Sequence, residues 1–223
     1  MAVRLFFAAF VAFAWVLGIG MSTAMPGAWL NDKRAHVADY SKVQLGPVRQ
    51  SVRLDDGVVG ALDRPCGILT VSRHGRRLWR GDLSSIRPWK LVAADVDGGG
   101  HREMALGVYK STRYFPYPHP GLFVYRWGGN GIVPVWRGSN LGEPFVDFAF
   151  LPKPNGPAEL IAVEVQQNGC RCVAGYHWSH FGFVGDWRHG NWERLKILST
   201  RGGQLSILAD GRKLFVSKDG NVH

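Results

Sequence analysis

Acidic side chains are in short supply: the 223-residue sequence holds 17 Asp and Glu against 27 Lys and Arg. That deficit rules out a neutral surface and favours anionic partners, such as phospholipid headgroups, acidic envelope polymers or an acidic protein. Cysteine is sparse as well. Three residues, Cys66, Cys170 and Cys172, allow one disulfide at most, Cys66 with Cys170 or Cys172, and leave a free thiol. No cysteine closely follows the N-terminal apolar run, so a bacterial lipid anchor is not expected. Charge is missing altogether between Arg4 and Asp32. Catalytic signatures are missing too: no Gly-x-Ser-x-Gly, phosphate loop or dinucleotide fingerprint stands in a strand–turn–helix context. Disorder is excluded by the opposite kind of evidence, since 46% of the residues are hydrophobic and nine are tryptophan.

The uncharged stretch has the order of a targeting segment: a basic start at Arg4, an apolar run from Leu5 to Met21, then the small residues Ser22, Thr23 and Ala24. Residues 1–30 are therefore expected to form a hydrophobic helix, either a cleaved signal peptide or a membrane anchor, with the remainder extracytoplasmic, secreted or held at the membrane. Residues 31–60 are polar and aperiodic and read as a linker. A repeat domain is expected over 61–223.

The repeat is visible at a constant offset of 51 between Leu122–Arg137 and Val173–Arg188. Tyr125 matches Tyr176, Trp127 matches Trp178, Gly131 matches Gly182, Val133 matches Val184, and the pair Trp136-Arg137 matches Trp187-Arg188. An earlier copy runs from Ile68 through the turn His74-Gly75 to Trp79-Arg80, and a partial last copy begins at Leu214. Between these hairpins lie further strand pairs, such as Lys90–Asp95 with Glu103–Tyr109 and Phe145–Phe150 with Glu159–Val165. Four short strands per unit at a period of about 50 residues predict an all-β chain, a β-propeller-like array of about three to four four-stranded blades. Tryptophans recurring once per unit at a strand edge are expected to pack between blades.

Asp95-Val-Asp97-Gly-Gly-Gly-His-Arg-Glu103 joins two of these strands. Acids at positions 1, 3 and 9 around glycines suit a hard cation wrapped in oxygens. Over about residues 68–217 the chain resembles the FG-GAP/VCBS repeats of integrin-type β-propellers, whose Asp-rich loops hold calcium. The resemblance implies calcium at Asp95, Asp97 and Glu103. Gly99 stands where that family has a third acid, and the next loop has Leu151, Lys153 and Asn155 at the matching positions, with Gly156 and Glu159 kept.

Cys170, Cys172, His177 and His180 invite a zinc reading, but the repeat assigns both histidines to an ordinary hairpin. The candidate contact surface is the insertion Lys110–Pro120, whose rings and cation, Arg113, Tyr114, Phe115, Tyr117 and His119, are stiffened by prolines as recognition loops are. The expected function is non-catalytic binding or scaffolding toward a glycan, an anionic envelope polymer or a partner protein. An envelope hydrolase with a loop-borne site and a structural subunit of an envelope assembly are the alternatives. Nucleic acid is not an expected partner, because the basic residues are scattered through turns, as at Arg73, Arg76, Arg77 and Arg80.

Overall fold

The computed structural model describes residues 43–113, 116–138, 141–201, 203–217 and 220–223. The expected hydrophobic helix over 1–30 lies outside them. Among the described residues no helix is long and apolar enough to cross a membrane.

The described residues fold into fifteen strands in four antiparallel meanders, arranged as a four-bladed β-propeller. Blade 1 consists of β1 (Arg49–Arg53), β2 (Val58–Asp63), β3 (Ile68–Arg73) and β4 (Arg76–Asp82). Blade 2 holds β5 (Lys90–Ala94), β6 (Glu103–Lys110), β7 (His119–Trp127) and β8 (Ile132–Gly138). Blade 3 holds β9 (Phe145–Leu151), β10 (Glu159–Val165), β11 (Arg171–Ser179) and β12 (Gly182–Trp192). Blade 4 has three strands, β13 (Leu195–Arg201), β14 (Gln204–Ala209) and β15 (Arg212–Val216). Beside β15, a bridge between Val216 and Val222 starts a fourth. Helix among the described residues is limited to a 3-10 turn at Ser84–Ile86.

Strand β1 falls inside the stretch expected to be a linker. Arg49–Arg53 carries one apolar residue, Val52, so no alternation marks it. Its cohesion comes from the backbone ladder to β2, with Arg49 opposite Asp63 and Arg53 opposite Val59.

Strand burial follows position in the row. The middle blades are covered on both faces, so β9 and β10 are buried at every residue and read as continuous apolar runs. Blades 1 and 4 are covered on one face, and β2 alternates between buried and half-buried residues. Three apolar clusters join neighbours in turn. Leu62, Leu69 and Val71 of blade 1 meet Met104 and Leu106 of blade 2. Trp89, Leu122 and Val124 of blade 2 meet Phe148, Leu160 and Ala162 of blade 3. Ile161, Val163 and Val173 of blade 3 meet Leu205, Ile207 and Val216 of blade 4. Among the described residues, none of these clusters joins blade 4 to blade 1.

The repeated tryptophans sit at these joints. A methyl built on Gly182, in the hairpin of blade 3, would lie 3.3 Å from Trp136 Nε1 of blade 2. One on Gly220, after β15, would lie 2.7 Å from the Trp187 ring of blade 3. Each indole thus reaches the final hairpin of the next blade, as its recurrence at one strand edge predicted.

The cysteines form no disulfide; all three are free thiols. Cys66 lies in the β2–β3 turn of blade 1, whereas Cys170 precedes β11 of blade 3 and Cys172 lies in it, and blade 2 stands between them.

Candidate functional site

Two ends of the sheets carry different chemistry. At the end where β5, β9 and β13 begin, the segment Val43–Pro47 ties three blades together. Gln44 N–H donates to Val146 O at 2.8 Å, Gly46 N–H to Trp89 O at 3.2 Å, and Gln44 Nε2 to Leu195 O at 2.7 Å. Beside this segment opens a cleft of about 850 Å3, walled by Gly46, Lys90, Asp147, Arg171, Arg194 and Lys196 among others. Lys90 is already engaged. Its Nζ donates to Asp147 Oδ1 and to Phe148 O, both at 2.6 Å. Burial pushes the Asp147 carboxyl above its ordinary range, and the pull of Lys90 offsets this only in part. Arg171 Nη1 donates to Leu195 O at 3.0 Å. No described acid comes within ion-pair distance of the side chains of Arg171, Arg194 or Lys196; Asp210 on the same wall accepts the Arg194 N–H at 2.7 Å, and against Asp147 and Asp210 the cations Lys90, Arg171, Arg194 and Lys196 remain in excess.

The insertion between β6 and β7 is at this same end, closed by the pairing of Lys110 with His119. Arg113 and Tyr117 are exposed; Tyr114 and Phe115 lie outside the described residues. His119 differs from expectation. It is only 2% exposed, and its Nδ1 is 2.8 Å from Tyr117 O. The imidazole therefore braces the loop from within and presents no contact surface.

At the opposite end, Asp95, Asp97 and Glu103 do come together, with one oxygen of each within 4.8 Å of the others. Their oxygens already have donors. Asp95 accepts from Gly98 N–H at 2.8 Å and Gly100 N–H at 3.0 Å, which folds the glycine turn. Asp97 accepts from Gly99 N–H at 2.9 Å and from Arg126 Nη2. Glu103 accepts from Val96 N–H at 2.9 Å and from both Nε and Nη2 of Arg126 at 3.0 Å. Glu103 is fully buried. Burial raises its pKa even against the hydrogen bonds from Val96 and Arg126. Calcium takes six to eight oxygens, and no carboxylate oxygen here is free of a donor. As the cluster stands, the Arg126 guanidinium occupies the place beside Asp97 and Glu103 that a bound cation would take.

Near it, a second cleft of about 840 Å3 is lined by Asp97, Arg126, His177, Trp178, His180 and Phe181, among others. His177 Nδ1 is 2.6 Å from Asp186 Oδ1. Among the described residues no serine, threonine or cysteine is hydrogen-bonded to His177, so this pair lacks the nucleophile that a hydrolytic dyad activates. Cys172 is no substitute: burial, then the charge of Glu164, raises its thiol to about 11, which keeps it protonated and unreactive.

No family model matches the chain, and no curated protein matches it. Among solved structures, it is similar to one described as "Structure of a Xanthomonas Type IV Secretion System related protein", with 16% identity over 79% of this chain and 98% of that one, at a TM-score of 0.30. A likeness of that size says nothing about what either protein does.

Proposed function

We propose that this chain is a non-catalytic extracytoplasmic binding module, delivered or anchored by its N-terminal segment, whose ligand is an anionic polymer such as an acidic envelope glycan. The observation that carries this reading is the cleft beside Val43–Pro47, where the side chains of Arg171, Arg194 and Lys196 form no ion pair among the described residues, Asp210 accepting from Arg194 only its backbone N–H, while the exposed Arg113 and Tyr117 stand at the same end. Cations left unpaired along a concave wall focus a positive potential onto a passing polyanion. The proline-stiffened loop loses little entropy on contact.

The test is a titration of the full chain with polygalacturonate as a model polyanion and dextran as the neutral control. Binding of the first and not the second is expected, weakening about tenfold in Arg194→Glu/Lys196→Glu, equivalent to about 1.4 kcal/mol. Equal affinity for both polymers, or full binding by the charge-reversed variant, would sink the proposal.

A subunit role is the second reading, and one observation favours it. Blade 4 exposes Leu198, Leu208 and Phe215, as expected of a sheet with one uncovered face. Light scattering of the purified chain decides this reading: a monomer at all concentrations removes self-assembly.

A further inference from the structure

Two loops that occupy equivalent places carry the same buried acid and different cations. Glu103 opens β6 and Glu159 opens β10 at an offset of 56, and they are 0% and 2% exposed. In blade 2 the cation comes from a strand: Arg126 of β7 bonds Glu103 and Asp97. In blade 3 the strand position holds His177, which turns to Asp186 instead. There the loop residue matching Asp97 is Lys153, with Nζ 3.7 Å from Glu159 Oε2. That oxygen has no hydrogen-bond partner, so Lys153 reaches it by charge alone. Trp187 Nε1 serves the other oxygen at 2.9 Å. Two positions, one on the strand and one in the loop, change together between the blades, yet each buried glutamate keeps one basic neighbour.

We infer that Arg126 and Lys153 are resident cations, doing in these two loops the charge-neutralising work that a bound divalent ion would do, so that the propeller folds without metal. The inference is independent of the polyanion reading and concerns the opposite end of the sheets. A buried carboxylate needs a counter-charge. A covalently attached one cannot be lost to a chelator or to low calcium. The glycine turn is then closed by the acids themselves: Asp95 bonds Gly98 and Gly100, and Asp97 bonds Gly99.

The experiment is thermal melting of the full chain by circular dichroism, with millimolar Ca2+ and with EGTA. The wild-type midpoint is expected to be the same in both. Arg126→Gln frees oxygens of Asp97 and Glu103. Its midpoint should fall in EGTA and recover in Ca2+. Lys153→Gln should also fall, without recovery, because Leu151 and Asn155 supply no carboxylate. A wild-type midpoint that follows calcium overturns the inference, as does an Arg126→Gln chain that is unaffected, or is destabilised and not rescued. If Arg126→Gln does not fold, Arg126→Lys decides: it keeps the charge and should melt without responding to calcium, and a calcium response would overturn the inference.

Discussion

The indole of Trp187 lies across Gly175, its cross-strand partner on β11, so closely that a methyl on that glycine would fall 2.2 Å from Cε2. In blade 2 the equivalent Trp136 has Val124 opposite and rests on Gly138 of its own strand, where a methyl would fall 1.9 Å from Cζ2. From blade 2 to blade 3 the glycine has crossed the ladder: Val124 becomes Gly175 while Gly138 becomes His189, whose ring now packs tilted by 42° with its centroid 5.7 Å from that of Trp187. The seat of the ring persists although neither residue does.

Gly138→Ala and Gly175→Ala are therefore expected to destabilise the fold by about 1–3 kcal/mol each, the usual cost of overpacking. Urea midpoints measure this, and wild-type midpoints would show that the rings are free to move aside.

The Glu164–Arg188 pair should respond unequally to losing either partner. Arg188 Nε donates to Glu164 Oε2 at 2.7 Å, with the arginine half-exposed and the glutamate fully buried. Tyr176 also donates to Glu164, and burial together with that carboxylate raises the phenol well above its ordinary range. Removing the acid leaves a cation that reaches water, whereas removing the cation leaves a buried anion. Arg188→Met should cost about 3–5 kcal/mol and Glu164→Gln about 1–3 kcal/mol. The reverse order in chemical denaturation would refute this asymmetry.

Acid should relieve one strain at Lys90–Asp147. The folded-state pKa of Asp147 is raised by burial, so the native state holds that proton more tightly than the unfolded chain. The stability this confers is fully present below the ordinary aspartate pKa and is lost as pH rises through the folded value. Relative to Asp147→Asn, the wild type should therefore lose stability from the carboxylate range toward neutrality. Denaturation midpoints of both proteins across that range test the sign.

Thiol reactivity should divide the cysteines. Cys66 is exposed and Cys172 is buried, with the Cys172 thiol raised to about 11. In the folded chain iodoacetamide should modify Cys66 readily and leave Cys172 intact until denaturant is added. Mass spectrometry of peptides after brief labelling reads this directly, and early modification of Cys172 would contradict it.

What could be read from the residues alone was whatever repeats locally. Tyr125, Trp127 and Trp136 against Tyr176, Trp178 and Trp187 located the hairpins, and the partial copy at Leu214 proved to be β15. Strand β1 was hidden because backbone pairing, which leaves no periodic trace in Arg-Gln-Ser-Val-Arg, defines it. The cation at the acidic loop was hidden by distance, since Arg126 stands 23 residues from Glu103. The cleft was more remote still, formed where Gln44 meets Leu195 across 151 residues. The exchange of glycine between Val124/Gly138 and Gly175/His189 was present in the alignment, but only as two mismatches. Identities marked the rings, and paired differences marked how the rings are held.

Among the described residues the three apolar joints run from blade 1 to 2, 2 to 3 and 3 to 4, so blades 1 and 4 each share one such joint and blades 2 and 3 share two. An end blade gives up one buried face when it detaches and a middle blade gives up two, so local opening begins at the ends. The basic cleft has Val43–Pro47, the approach to blade 1, on one side and the strands of blade 4 on the other. A polyanion held there would act as a clasp, reinforcing the Gln44–Leu195 bond between the last blade and the approach to the first, and would stabilise the chain by as much as it prefers the closed form.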